Sequence, residues 1–84
     1  MRHRPRIVIY MAVLAELRER PSLPTRISRV ANLSYDKCME ILGELEARGL
    51  LRRASRDGHD VYGVTEDGYQ LVEDWSKLWR RLES

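Results

Sequence analysis

Residues 25–49, TRISRVANLSYDKCMEILGELEARG, decide the fold. They read as two helices joined by a tight turn. Thr25, following Pro24, is placed to cap a first helix over residues 26–31, and Asn32-Leu33-Ser34 interrupts it. Ser34 then caps a longer helix running to Arg48, and Gly49 suits the left-handed residue that ends it. In the second helix Cys38, Ile41, Leu42 and Leu45 recur at i, i+3, i+4 and i+7, which makes one apolar face. In the first, Ile27 and Val30 are expected to point inward, with Leu33 anchoring the turn. A short helix, a turn and a longer helix make a helix-turn-helix unit, whose second helix enters a DNA major groove. A plain helical hairpin inside a small α domain also fits these residues.

What lies on either side selects between the two. Downstream, residues 50–55 and 60–64 read as short strands, and Asp57-Gly58 between them is a strong hairpin signal. Arg52, Arg53, Arg56 and His59 lie on or beside this hairpin. A helix-turn-helix followed by a basic hairpin is the layout of a winged helix, with residues 56–59 as the tip of the wing. Upstream, a helix is expected from Pro5 or Arg6 to Arg20, with Tyr10, Val13, Leu14 and Leu17 as its stripe. Val8, Ile9, Ala12 and Ala15 add apolar surface around it, more than so short a chain covers by itself. Pro21-Ser22-Leu23-Pro24 stops this helix and forms an extended connector.

The last helix opens at Thr65-Glu66-Asp67-Gly68, where Thr65 caps and the two acids suit the helix dipole. It continues to about Glu83. Leu71, Trp75, Leu78 and Leu82 are spaced 4, 3, 4, the seam of a coiled coil, and Val72 and Trp79 form a second line beside it. A second copy of the chain would cover this surface; packing of both lines on the first helix of the same chain is the alternative. The fold class is therefore mainly α with a small β-hairpin, a winged helix-turn-helix with a C-terminal dimerisation helix. Residues 1–84 form a single winged-helix domain: 1–5 a basic arm, 25–49 the helix-turn-helix, 50–64 the wing hairpin and 65–84 the C-terminal helix.

Composition narrows the function. The 84 residues are 43% hydrophobic, enough for one modest core. There is no apolar run of membrane-spanning length. The apolar segment from Ile7 to Ala15 leads into Glu16, Arg18, Glu19 and Arg20 rather than a cleavage site, so it reads as a helix of the mature protein. One cysteine, Cys38, excludes an internal disulfide and fits a reducing cytoplasm. It falls on an apolar helix face, where a buried, inert thiol is expected. No Gly-rich phosphate loop, metal-ligand cluster or catalytic triad is present, so the protein reads as no enzyme and as needing no cofactor.

Charge is uneven along the chain. Net charge is +2, yet residues 1–32 hold seven Arg against two Glu. Of the fifteen basic residues thirteen are Arg, which suits bidentate phosphate and guanine contacts. Arg2, Arg4 and Arg6 in the arm are placed to follow a phosphate backbone, or simply to be a solvated terminus. Against this, the outer face of the second helix of the unit carries Asp36, Glu40, Gly43 and Ala47. Acids there repel phosphate, although a carboxylate also accepts a hydrogen bond from cytosine N4.

Thr25-Arg26-Ile27, Ala31-Asn32-Leu33-Ser34-Tyr35, Leu42 with Leu45, Arg48-Gly49-Leu50-Leu51 and Tyr62-Gly63-Val64-Thr65-Glu66-Asp67-Gly68 together carry a family resemblance. The sequence resembles archaeal winged helix-turn-helix proteins, a group that includes small chromatin-associated DNA-binding proteins dimerising through a C-terminal antiparallel coiled coil. The resemblance implies a cytoplasmic, dimeric protein that binds double-stranded DNA, nucleoid-associated if so, and either regulates transcription or coats DNA. With the layout, it places backbone contacts at Arg26, Arg29, Arg52 and Arg53, and sets Arg56 and His59 over a minor groove. Ser34, Tyr35 and Lys37 would meet base edges. Dimerisation would use Leu71, Trp75, Leu78, Trp79 and Leu82. A winged-helix protein-interaction module without DNA binding is the alternative.

Overall fold

A computed structural model describes residues 4–83. Helix α1 spans Arg6–Glu19, α2 Pro24–Val30 and α3 Tyr35–Ala47. Strands β1 (Leu51–Arg56) and β2 (His59–Val64) follow, and α4 spans Glu66–Glu83. The strands pair antiparallel, Leu51 opposite Val64 through Arg56 opposite His59. Asp57 and Gly58 both take positive φ, 53° and 77°, as a two-residue turn of primed type requires. The strands therefore reach one residue nearer the tip than expected at each side, and the turn shrinks to these two residues. Ser22 adds a bridge on the far edge of β2, exchanging two 3.0 Å backbone hydrogen bonds with Tyr62.

The core gathers one side of each helix. Val13, Leu14 and Leu17 of α1, Ile27 of α2, and Cys38, Ile41, Leu42 and Leu45 of α3 are essentially inaccessible. Leu51, Tyr62 and Val72 close it from the hairpin and α4. The Cys38 thiol faces the Pro24 carbonyl at 3.6 Å, and burial pushes its pKa up, away from reactivity.

Both helices of the helix-turn-helix end by one rule. Asn32, at φ 58°, is the left-handed residue that closes α2. The Leu33 amide donates to the Ser28 carbonyl (2.8 Å) and the Asn32 amide to that of Arg29 (3.3 Å), the paired bonds of a Schellman stop. Gly49, at φ 75°, repeats the arrangement after α3, with Leu50 bonded to Leu45 and Gly49 to Glu46, both at 3.0 Å. Ser34 caps α3 by accepting from the Lys37 amide at 3.1 Å. Ser34→Ala should cost about 1 kcal/mol in chemical denaturation with an unchanged m-value; a loss under a few tenths would mean solvent replaces the cap.

Two expectations are corrected here. Thr25 does not cap α2. The helix starts two residues earlier, with Leu23 extended at the N-cap and Pro24 in the first turn, where its fixed φ and missing amide cost nothing. Val30 does not point inward but is 47% exposed, and Ala31, at the end of the helix, is buried instead. With α2 only two turns long, that shift rotates which residue meets the core.

The junction into α4 is stitched to the end of α3. The Thr65 amide donates to the Leu50 carbonyl (3.1 Å) and its hydroxyl to that of Gly49 (2.7 Å). The same hydroxyl accepts from the Gly68 amide at 3.1 Å, so Thr65 caps α4 as expected.

Candidate nucleic-acid interface

The N-terminal turn of α3 is presented to solvent. Ser34 holds the cap, and Tyr35 beside it is 53% exposed. Lys37 is half-buried, its ammonium 3.4 Å from Glu40. Further along the outer face Gly43 and Ala47 are exposed and small, so nothing there keeps another surface away.

The acids of α3 are largely spoken for. Arg6, from the first turn of α1, places its guanidinium 2.6 Å from Glu44 and 3.3 Å from Glu40. The Tyr10 hydroxyl, one turn on, donates to Glu44 at 2.5 Å, and Arg48 lies over the Tyr10 ring at 5.3 Å. The Tyr10 hydrogen bond, then Arg6, hold the Glu44 carboxyl below its usual range against the opposing effect of burial. Glu46 meets Arg53 at 3.6 Å. Only Asp36 of the four α3 acids has no cation partner among the described residues.

The basic arm is thus partly built into the fold. Besides Arg6, Arg4 donates to the Ala31 carbonyl at 2.8 Å and the Asn32 carbonyl at 3.3 Å, covering oxygens that α2 leaves open at its end. Arg2 and His3 lie outside the described residues. Sequence reasoning gave Arg4 and Arg6 to DNA or solvent and missed these contacts. The available signal was a matched spacing: Arg6 and Tyr10 are four residues apart on one helix, Glu40 and Glu44 four apart on another.

The expected DNA-contacting residues fall into distinct settings. Alternation along β1 sends Arg52 and Arg56 to one face and Arg53 to the other. Arg52, Arg56 and His59 are exposed on the wing face that carries Ala54, Val61 and Gly63, whose base meets Leu17, Arg18 and Pro21 at the end of α1, and none of the three makes a side-chain hydrogen bond or ion pair among the described residues. Arg53 instead reaches Glu46 and, at 3.8 Å, Asp60. Arg29 is exposed in the last turn of α2. Arg26 is bound inward, 2.8 Å from Glu16 and donating to the Ser22 hydroxyl at 3.0 Å.

A second surface lies across the molecule. Val72 is buried, and Trp75 packs against the core. Trp79 remains 52% exposed, Leu78 54% and Leu82 72%. The reading in which both α4 lines pack on the first helix of the same chain does not hold. Trp75 also leaves its expected seam and joins Val72 and Trp79 on the side facing α1, stacking on Trp79 with ring centroids 6.4 Å apart. Between the helices runs an open apolar groove of about 520 Å³ lined by Val8, Met11, Ala12, Ala15, Trp75 and Trp79 among others. Arg18 ties the two helices beside it, 2.5 Å from Glu73 and over the Tyr69 ring at 4.8 Å.

The family model described as winged helix-turn-helix matches residues 3–83. The chain belongs to the winged helix-turn-helix family. This winged helix-turn-helix protein is similar in structure to a MarR-family transcriptional regulator from Silicibacter pomeroyi, with 27% identity and a TM-score of 0.78, over 90% of this chain and 56% of that one. It is similar to S. aureus MepR in its DNA complex, at 20% identity and TM-score 0.82 over 90% and 66% of the two chains. It is also similar to the transcriptional regulator BldR from Sulfolobus solfataricus, at 19% and 0.80 over 89% and 56%. The chain spans little more than half the length of the Silicibacter and Sulfolobus proteins. No curated protein matches it in sequence. Among the described residues no group of side chains is arranged to hold a metal ion, and no helix is long and apolar enough to cross a membrane.

Proposed function

We propose that residues 1–84 act as one winged-helix domain that binds double-stranded DNA as a homodimer in the cytoplasm, as a transcriptional regulator or a chromatin-associated protein like the archaeal coiled-coil dimers. The observation that carries the reading is the wing face on which Arg52, Arg56 and His59 are exposed together without side-chain hydrogen bonds or ion pairs among the described residues. The exposed start of α3 offers Ser34, Tyr35 and Lys37 for the groove. Arg29 is available for the backbone. Arg26 contributes by setting the angle of α2 from its bond to Glu16, and Arg53 by holding wing and α3 together. The MarR-family likeness supports regulation, and no catalytic step enters the reading.

Fluorescence anisotropy on duplex DNA at two salt concentrations tests it. Each phosphate contact contributes about 0.9 to the slope of log affinity against log salt. Arg52→Ala with Arg56→Ala should therefore flatten the slope by up to about 1.8, while Arg53→Ala should leave it nearly unchanged. An unaltered slope in the folded double variant would take the wing out of the interface. A protein-interaction module is the second reading, favoured by the exposed Trp79 and Leu78 surface; DNA binding indifferent to salt, or absent, would support it.

A further inference from the structure

We propose that Arg6 is a charge mask on α3: by bridging Glu40 and Glu44 it lets a helix rich in acids approach a polyanion, without itself touching it. This rests on the DNA-binding reading above. Helix α3 carries Asp36, Glu40, Glu44 and Glu46 against Lys37 alone. Glu40 and Glu44 are one turn apart on the side turned toward α1, a spacing at which like charges repel. A planar guanidinium is suited to meet two carboxylates at once, and Arg6 does so at 3.3 and 2.6 Å.

Its placement is held from both sides. Arg4 grips the end of α2 through Ala31 and Asn32, and Tyr10 fixes Glu44 one turn later on α1. Lys37 adds a second cation to Glu40. Glu40 is then no free acceptor for cytosine N4. It is half of a neutralised pair bordering the small residues Gly43 and Ala47. Arg6 is a positioning residue, acting through the two acids.

The test is a mutant cycle on the full chain: Arg6→Ala, Glu40→Gln with Glu44→Gln, all three together, and Lys77→Ala as a charge-matched control on α4. Each is checked for folding by its thermal transition, and Arg6→Gln substitutes should the alanine variant not fold. Binding is read as duplex affinity at low and high salt and as elution salt from a heparin column. Arg6→Ala should weaken duplex binding about tenfold at low salt, and clearly less at high salt, where the exposed acids are screened. Adding the two Gln substitutions should restore affinity to the native level or above. Lys77→Ala should cost less than about threefold. Loss without restoration would mean that Arg6 contacts the polyanion directly, and a loss no larger than that of Lys77→Ala would mean no mask; either overturns the proposal. Heparin binding without duplex binding defeats the DNA reading while the same cycle on heparin still decides the mask. Binding to neither defeats both.

Discussion

Gly68→Ala should lower the thermal midpoint by roughly 12–25 °C, close to abolishing the fold at physiological temperature. A Cβ at Gly68 would lie 2.2 Å from the Leu50 carbonyl oxygen and 3.2 Å from its carbon. Backbone cannot yield as a flexible side chain does, so α4 must move away. That breaks the bond from the Thr65 amide to the same carbonyl and strains the one from the Thr65 hydroxyl to Gly49. Overpacking of about 2–3 kcal/mol plus about 1 kcal/mol for the hydrogen bonds takes a large share of the roughly 4–12 kcal/mol expected for a chain of this size. Gly43 is the internal comparison, because nothing lies within 4 Å of a Cβ built there. Gly43→Ala should stabilise by about 0.5–1 kcal/mol through helix propensity. Calorimetry on the two variants should show shifts of opposite sign; a tolerated Gly68→Ala would mean that α4 is not held as tightly as its cap geometry implies.

The second large effect is expected on assembly. Leu78→Ala with Trp79→Ala should convert a dimer into monomers and reduce affinity for a paired DNA site by two to four orders of magnitude, since the second recognition helix is lost from the same complex. Leu78, Trp79 and Leu82 are exposed, unlike Trp75, so removing two of them should leave monomer stability nearly intact. Burial of each is worth about 2 kcal/mol, and six across a two-fold interface reach roughly 12 kcal/mol against an association cost of about 4–15 kcal/mol. The exposed apolar side of α1, with Ile7, Val8, Ala12 and Ala15, supplies further area. Sedimentation equilibrium decides the matter: a native chain that stays monomeric at tens of micromolar would end the dimer reading, and so would a dimer unaffected by the double variant.

The parts of the fold that were legible in the sequence are those governed by local rules. Ser34, Gly49, Asp57-Gly58 and Thr65 each act within a few residues of themselves, and each performs the capping or turning role its chemistry suggests. Thr25 misled because a Pro at the start of a helix serves as well as a polar cap, and two such signals stood side by side. Val30 misled because two turns do not establish a period. The charged side chains were the least legible. The matched spacing of Arg6 with Tyr10 and of Glu40 with Glu44 allows the crossing to α3 without choosing it over other pairings. Nothing in the order of residues says that Arg26 turns back to Glu16, or that Arg53 parts company with Arg52 and Arg56, although the last follows from strand alternation once the register is known. Their partners are decided by packing, which joins Arg6 to Glu44 across 38 positions and Arg18 to Glu73 across more. Trp75 shows the same limit: two overlapping apolar lines were visible, and only the position of α1 determines which one it joins.

Both tryptophans of the chain sit on α4, stacked on each other at the edge of the α1 groove, while α3 and the wing contain none. Intrinsic fluorescence excited at the indole band therefore views a single location. Self-association that dries this groove should shift the emission to the blue and reduce quenching by added iodide or acrylamide. Events at Tyr35 or Arg56 should leave it dark unless they are transmitted through the core. The protein carries its own optical probe, one that separates the pairing of two copies from whatever α3 and the wing engage.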